Sequence, residues 1–209
     1  MSVVIIVGVN HFDPLGPRKV RKYLDEIKAQ GFCPEYVCVE WKKEIADEVI
    51  KQRIEFGDMV KSRFPNIRDE DALEFEKSLA YEADSHVDTF PEAGIIWLEA
   101  NRDIDSTDSG ITEYSKHRFK KYRNYDINST IEDISREVLA ENNRYTPGYR
   151  DVAFFEAVQA QTNCNCDILC IVGASHGDVK AENSFAFLMK ANGYEVVFFD
   201  TTRTRSLLA

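Results

Sequence analysis

A chain of 209 residues, 44% apolar and 30% charged, has enough material for one well-buried core and is short for two, so a single domain over 1–209 is expected. No apolar run approaches the roughly 20 residues of a helical membrane span. A formal charge of −10 argues against nucleic acid, because such surfaces need basic side chains to displace counterions from phosphates. The expected partner is a peptide or another small molecule.

Met1-Ser2 leads directly into Val3-Val4-Ile5-Ile6-Val7, with no basic stretch and no small-residue cleavage site, so the segment reads as a strand and secretion is not expected. The five cysteines are an odd count without disulfide or zinc-knuckle spacing, which fits a reducing, cytoplasmic setting. Cys164-Asn165-Cys166 has one intervening residue where the usual redox pair has two.

In chain order, the first expected strand is Val3 to Val7, followed by a helix with Val20, Leu24 and Ile27 on one stripe. The second strand is Tyr36 to Val39. Residues 41–91 then form a helical insertion, with Ile45, Val49, Phe56 and Val60 before a break at Phe64-Pro65-Asn66 and Ala72, Phe75, Leu79 and Ala83 after it. It is read as a candidate lid. The third strand is Gly94 to Leu98. Ser129 with Glu132 has the capping-box pattern ahead of Ile131, Ile134 and Val138, and Val152, Phe155 and Val158 form the next apolar stripe. The fourth strand, Ile168 to Val172, precedes a helix with Phe185, Leu188 and Met189 that ends at Gly193. Glu195 to Phe199 is the fifth. Continuously apolar strands are those buried on both faces of a parallel sheet, so the fold class is α/β: three layers, a mainly parallel sheet, and helices on both faces.

The two ends of the chain share a pattern of strand, Gly-x-x-His turn, helix, late glycine and strand. Gly8-Val9-Asn10-His11 and Gly173-Ala174-Ser175-His176 each place a histidine beyond a glycine that ends a buried strand. Positive φ or close backbone approach at that glycine allows the sharp turn, and the carboxyl edge it faces is where open α/β sheets bind ligands. Glu40 and Glu99 end the second and third strands, and each needs a partner if it is buried there.

On Gly8-Val9-Asn10-His11, the Pro34 to Glu40 stretch ending in Val-Glu, Tyr149-Arg150-Asp151 opening a helix, and Ile171 to His176, the chain resembles the TraB, PrgY and Tiki superfamily and its GumN-type and erythromycin-esterase-like relatives. The resemblance runs over nearly the whole chain. It implies a hydrolase-like site, in some members a divalent-metal-dependent peptidase, with His11, Glu40 and His176 as the metal ligands here. It also implies that Arg150 and a helical glutamate, Glu82, belong to the site. Trp41 after Glu40 and Gly177-Asp178 after His176 depart from the family pattern.

Neutral imidazoles and a carboxylate suit Mn, Co, Zn or Fe with an open position for water, and such an ion makes amide or ester hydrolysis feasible at neutral pH, with Glu82 or Glu99 as base. A metal-free site, in which a histidine paired with Glu40 activates water, needs only a positioned base of suitable pKa. A non-catalytic pocket for a peptide, a haem-like cofactor or a small signal uses the same residues. A further reading is an interaction module acting through the helices of 41–91, for which both histidines are dispensable.

Other patterns carry less. Asp103-Ile104-Asp105-Ser106-Thr107 has the phosphatase-like Asp-x-Asp-x-Thr order but does not follow its strand directly, and with Asp108 and Gly110 it misses the calcium-loop template. Lys116 to Arg123 reads as the exposed face of a helix with Phe119 and Tyr122 on its buried side. His117 and His86 are expected at the surface.

Overall fold

The computed structural model describes residues 2–99, 108–141, 148–162 and 166–203, with the backbone alone for 108–114. The Asp103 to Thr107 pattern and Cys164-Asn165 lie outside the described residues.

Five strands, β1 (Val3–Val9), β2 (Tyr36–Val39), β3 (Gly94–Trp97), β4 (Ile168–Gly173) and β5 (Glu195–Asp200), form one all-parallel sheet in the order β3-β2-β4-β1-β5. The central strands β1 and β4 are buried almost throughout, which explains why their sequences are apolar without alternation. Register brings the carboxyl ends level: Val9 pairs with Gly173, Val39 with Ile171, and Val39 with Trp97.

One face of the sheet is covered by α1 (Gly16–Ala29), whose Val20, Leu24 and Ile27 pack with Ile5, Val7, Val37 and Ile171. The opposite face carries α7 (Tyr149–Gln161) and α8 (Phe185–Ala191), where Phe154, Val158, Phe185 and Met189 meet Val4, Ile6, Cys38 and Val172. The chain thus leaves β1 on one face and leaves its neighbour β4 on the other. A crevice at the carboxyl end of an α/β sheet opens where adjacent strands diverge in this way. The helix after β1 and the helix after β4 are each followed by a glycine in the left-handed region, Gly31 (φ +85°) and Gly193 (φ +91°), where a side chain would be strained.

The insertion supplies α2 (Lys43–Lys51), α3 (Arg53–Arg63) and α4 (Asp69–Ser78), then a 3-10 turn, Tyr81–Ala83. Its apolar faces are spent against α5 (Asp108–Tyr122) and α6 (Ile131–Ala140) in a separate cluster built on Phe56, Val60, Phe75, Tyr122 and Ile134. No residue of 41–91 lines the cleft described below. The insertion is therefore a buttress to one side of the site and not a lid over it.

Four local expectations change. The α6 cap is Thr130 with Asp133, one residue beyond the Ser129 and Glu132 pair, because Thr130 is the residue with extended backbone there. In α7 the buried positions are Asp151, Phe154 and Val158, while Val152 is exposed. Arg118, read from the basic run as solvated, is fully buried and donates from Nη2 to Ser78 Oγ at 3.2 Å. His86 is buried as well, and its Nδ1 has no hydrogen-bond partner among the described residues. His117 is exposed, as expected.

Among the described residues no helix is long and apolar enough to cross a membrane.

Candidate functional site

All six residues singled out from the sequence meet at the carboxyl edge of the sheet, at one end of a cleft of about 1180 Å³. Glu40 is the hub. It follows β2, its side chain is 3% exposed, and Oε2 accepts from the Gly173 backbone N–H at 2.6 Å while Oε1 accepts from Arg150 Nη2 at 2.6 Å. The same Arg150 nitrogen donates to Glu99 Oε1, so the two glutamates ending β2 and β3 share one guanidinium. A carboxylate in so dry a place needs such partners.

The two imidazoles each approach a different oxygen of Glu40. His11 Nε2 lies 3.5 Å from Glu40 Oε2, and His176 Nε2 lies 3.5 Å from Glu40 Oε1. Each ring is held from behind by a second buried carboxylate: His11 Nδ1 is 2.8 Å from Glu82 Oε1, and His176 Nδ1 is 2.8 Å from Asp151 Oδ1. A carboxylate behind each ring favours the proton on Nδ1, and Nε2 is the end turned to Glu40.

Local chain geometry explains this placement. The glycines before the histidines serve close approach and not positive φ, since neither Gly8 nor Gly173 is among the residues with φ above zero. A Cβ at Gly173 would stand 3.1 Å from His11 Nε2 and 3.3 Å from Glu40 Oε2, crowding the two groups it now lets meet. The His11 loop is tied by the Tyr122 hydroxyl donating to Phe12 O at 2.7 Å and the Tyr81 hydroxyl donating to Asn10 O at 3.2 Å. Glu82 is presented by the 3-10 turn that follows Ala80, a residue in the left-handed region at φ 54°, a strained conformation of the kind that persists where its surroundings enforce it. Trp41 Nε1 donates to Glu82 Oε2 at 3.3 Å, which gives the indole after Glu40 a function an aliphatic side chain would lack.

Asp151 was visible only as the acid after Arg150 at a helix start. In the fold it is fully buried, and Oδ1 also accepts from the Phe185 backbone N–H at 2.8 Å, tying the starts of α7 and α8 to His176. The signal available for it was the capping pattern, in which Asp151 Oδ2 accepts from the Gly148 N–H at 3.2 Å.

The charges set protonation. Burial works against a charged His11, but the carboxylates of Glu40 and Glu82 outweigh it and hold its pKa well above the ordinary imidazole value. His176 is raised to about 8, against its own burial, by Asp151 and Glu40. Burial alone would raise Glu40, yet His11 and His176 hold it well below the usual carboxylate range.

The ligand set implied by the family resemblance is thus brought together, with His11 Nε2, Glu40 Oε2 and the His176 ring all within 3.5 Å of where a Cβ at Gly173 would stand, but its donor atoms are already engaged. The two Nε2 atoms address different oxygens of Glu40, both oxygens already accept hydrogen bonds, and a guanidinium lies against one of them. Among the described residues no group of three or more His, Cys, Asp or Glu side chains is arranged to hold a metal ion. The residues as placed do not fit a metal centre, and the chemistry below does not pass through one.

The fold and site define an α/β protein with a buried carboxylate between two carboxylate-held histidines at the switch point of a parallel sheet. Compared with family models, with curated proteins and with solved structures, the chain matches none.

Proposed function

We propose that the protein is a hydrolase of amide or ester bonds that works by general acid–base chemistry, with His11 as the proton-transfer group. The observation that carries this reading is the fixed orientation of two imidazoles whose Nε2 atoms face one buried carboxylate at the end of an open cleft. His11 is the histidine within reach of substrate, since its side chain is 33% exposed and that of His176 only 2%.

In the working cycle neutral His11 takes a proton from a water molecule at Nε2 as that water attacks the carbonyl carbon. The imidazolium formed is stabilised by Glu82 at Nδ1 and by Glu40 nearby, and it returns the proton to the leaving oxygen or nitrogen. His176, Asp151 and Arg150 act through Glu40 by keeping it ionised and in place. Since the carboxylates favour the charged ring, His11 is neutral only at elevated pH. The rate therefore rises along a limb displaced above that of a free imidazole.

The motif resemblance to the TraB, PrgY and Tiki superfamily supports the same class of activity. A second reading keeps the divalent ion, and the observation favouring it is that metal-bound histidines also commonly donate Nδ1–H to a carboxylate. One experiment separates the two: purified protein, exhaustively chelated, is assayed on a panel of peptides and neutral esters. Turnover that survives chelation and is lost in His11→Ala is expected. Turnover restored only by added Mn, Co, Zn or Fe would favour the metal reading, and ligand-dependent stabilisation without turnover of any substrate would favour a binding protein.

A further inference from the structure

The cleft extends past the polar cluster. From the two histidine loops it runs to the end of β5, where Phe198, Phe199, Tyr23 and Val179 line it. Successive residues of a strand face opposite sides of the sheet, so the end of this edge strand offers the cleft one half-buried ring from each face. Phe198 is held hard against both histidine loops: a Cβ at Gly8 would stand 2.5 Å from its Cε2, and a Cβ at Gly177 would come closer still. Gly8 lies three residues before His11 and Gly177 directly after His176, so each loop carries a glycine where this ring passes. Phe199 packs on Tyr23 with ring centroids 5.4 Å apart.

The charges along the cleft cancel in pairs. Glu40 is matched by Arg150 at 2.6 Å, Glu141 by Lys121 at 2.9 Å, and Asp200 by Arg203 at 2.9 Å. Of the remaining charged lining residues Glu26 and Asp178 are acidic and Lys180 is basic. With His11 neutral, as the working cycle requires, the described lining residues carry no surplus of positive charge for an anionic substrate.

Resting on the hydrolase reading above, we infer that the substrate is a neutral ester or amide with an aromatic or similarly ring-sized apolar group beside the scissile bond, seated against Phe198 and Phe199. The polar end of the cleft then holds the carbonyl at His11 while the aromatic end sets specificity. An apolar subsite of this kind discriminates by about tenfold or more for each group it buries.

The test uses the full chain and the 4-nitrophenyl esters of phenylacetate, acetate and monosuccinate. The expected result is a kcat/KM for phenylacetate at least about tenfold above that for acetate, with the charged monosuccinate lowest. Phe199→Ala and Phe198→Leu should shrink that ratio through KM, with thermal unfolding confirming that each variant is folded. Equal rates on the three esters, a preference for the charged one, or a ratio unchanged in both variants overturns the inference. If no ester is turned over, the hydrolase reading is left to the peptide panel, and binding of phenylacetamide decides the subsite. A rise in Tm for wild type and His11→Ala that is smaller in Phe199→Ala supports it, and equal or absent shifts overturn it.

Discussion

The two histidine loops begin alike and end differently. Both follow a buried parallel strand, both place Nδ1 on a buried carboxylate at 2.8 Å, and both turn Nε2 toward Glu40 at 3.5 Å. His176 is then sealed between Phe154, at 5.0 Å between ring centroids, and the start of α8, whereas His11 remains open to the cleft. Their anchoring carboxylates also differ in origin, Glu82 from the insertion and Asp151 from the first turn of α7. The lesson is that a repeated motif duplicates position, while burial divides the labour. In the proposed function one imidazole meets the substrate, and its counterpart fixes the carboxylate between them.

The sharpest division comes from removing each ring in turn. His11→Ala should lower kcat/KM on a neutral ester by about 10²–10⁴-fold with little change in melting, the range for a positioned proton-transfer group. His176→Ala should instead leave buried Asp151 short of a partner and cost about 1–3 kcal/mol in urea unfolding. Equal rate losses with equal stability losses would break the comparison. Glu40→Ala removes what both loops share and takes the acceptor from the buried Gly173 N–H, while Arg150 keeps Glu99, so about 1–3 kcal/mol of destabilisation is expected from the same unfolding measurement.

Next in size is the pH dependence of stability. His176 has a folded pKa of about 8 against an ordinary 6.5. Its contribution of about 2 kcal/mol is present below the unfolded value and is lost as pH rises through the folded one. His11 adds in the same direction, while Glu40, depressed in the fold, contributes above its ordinary value and loses that contribution as pH falls. Urea midpoints at about pH 6 and about pH 9 should differ accordingly, and His176→Asn should remove its own share of the difference and leave that of His11. The smallest effect is at Trp41: Trp41→Phe deletes one long hydrogen bond to Glu82 and should cost about 1 kcal/mol, read as a small drop in Tm.

Much of the sheet was legible because a strand buried on both faces must be apolar without alternation, as Val3–Val9 and Ile168–Gly173 are. The site was legible where chemistry interrupts such a strand, at Glu40 and Glu99, or where the interruption repeats, at His11 and His176. Glu82 was reachable only through family resemblance, because a glutamate in a short turn after three helices has no periodicity of its own. Asp151 was hidden for the opposite reason, since an acid in the first turn of a helix is explained by capping and macrodipole alone and nothing local says that it is buried. The burial of Arg118 and His86 and the rotated face of α7 depend on which neighbours arrive from distant parts of the chain. Helical spacing marks a stripe but not its partner.

The most direct test of the account is a ¹⁵N NMR titration of the histidine rings, assigned with His11→Ala and His176→Ala. His11 should keep its Nδ1 proton throughout and lose the Nε2 proton at a pH above the ordinary imidazole range, as a ring held by Glu82 and facing Glu40 must. A His11 that titrates at or below the ordinary value, or that carries its neutral-state proton on Nε2, would contradict the assignment of Nε2 as the working end of the site.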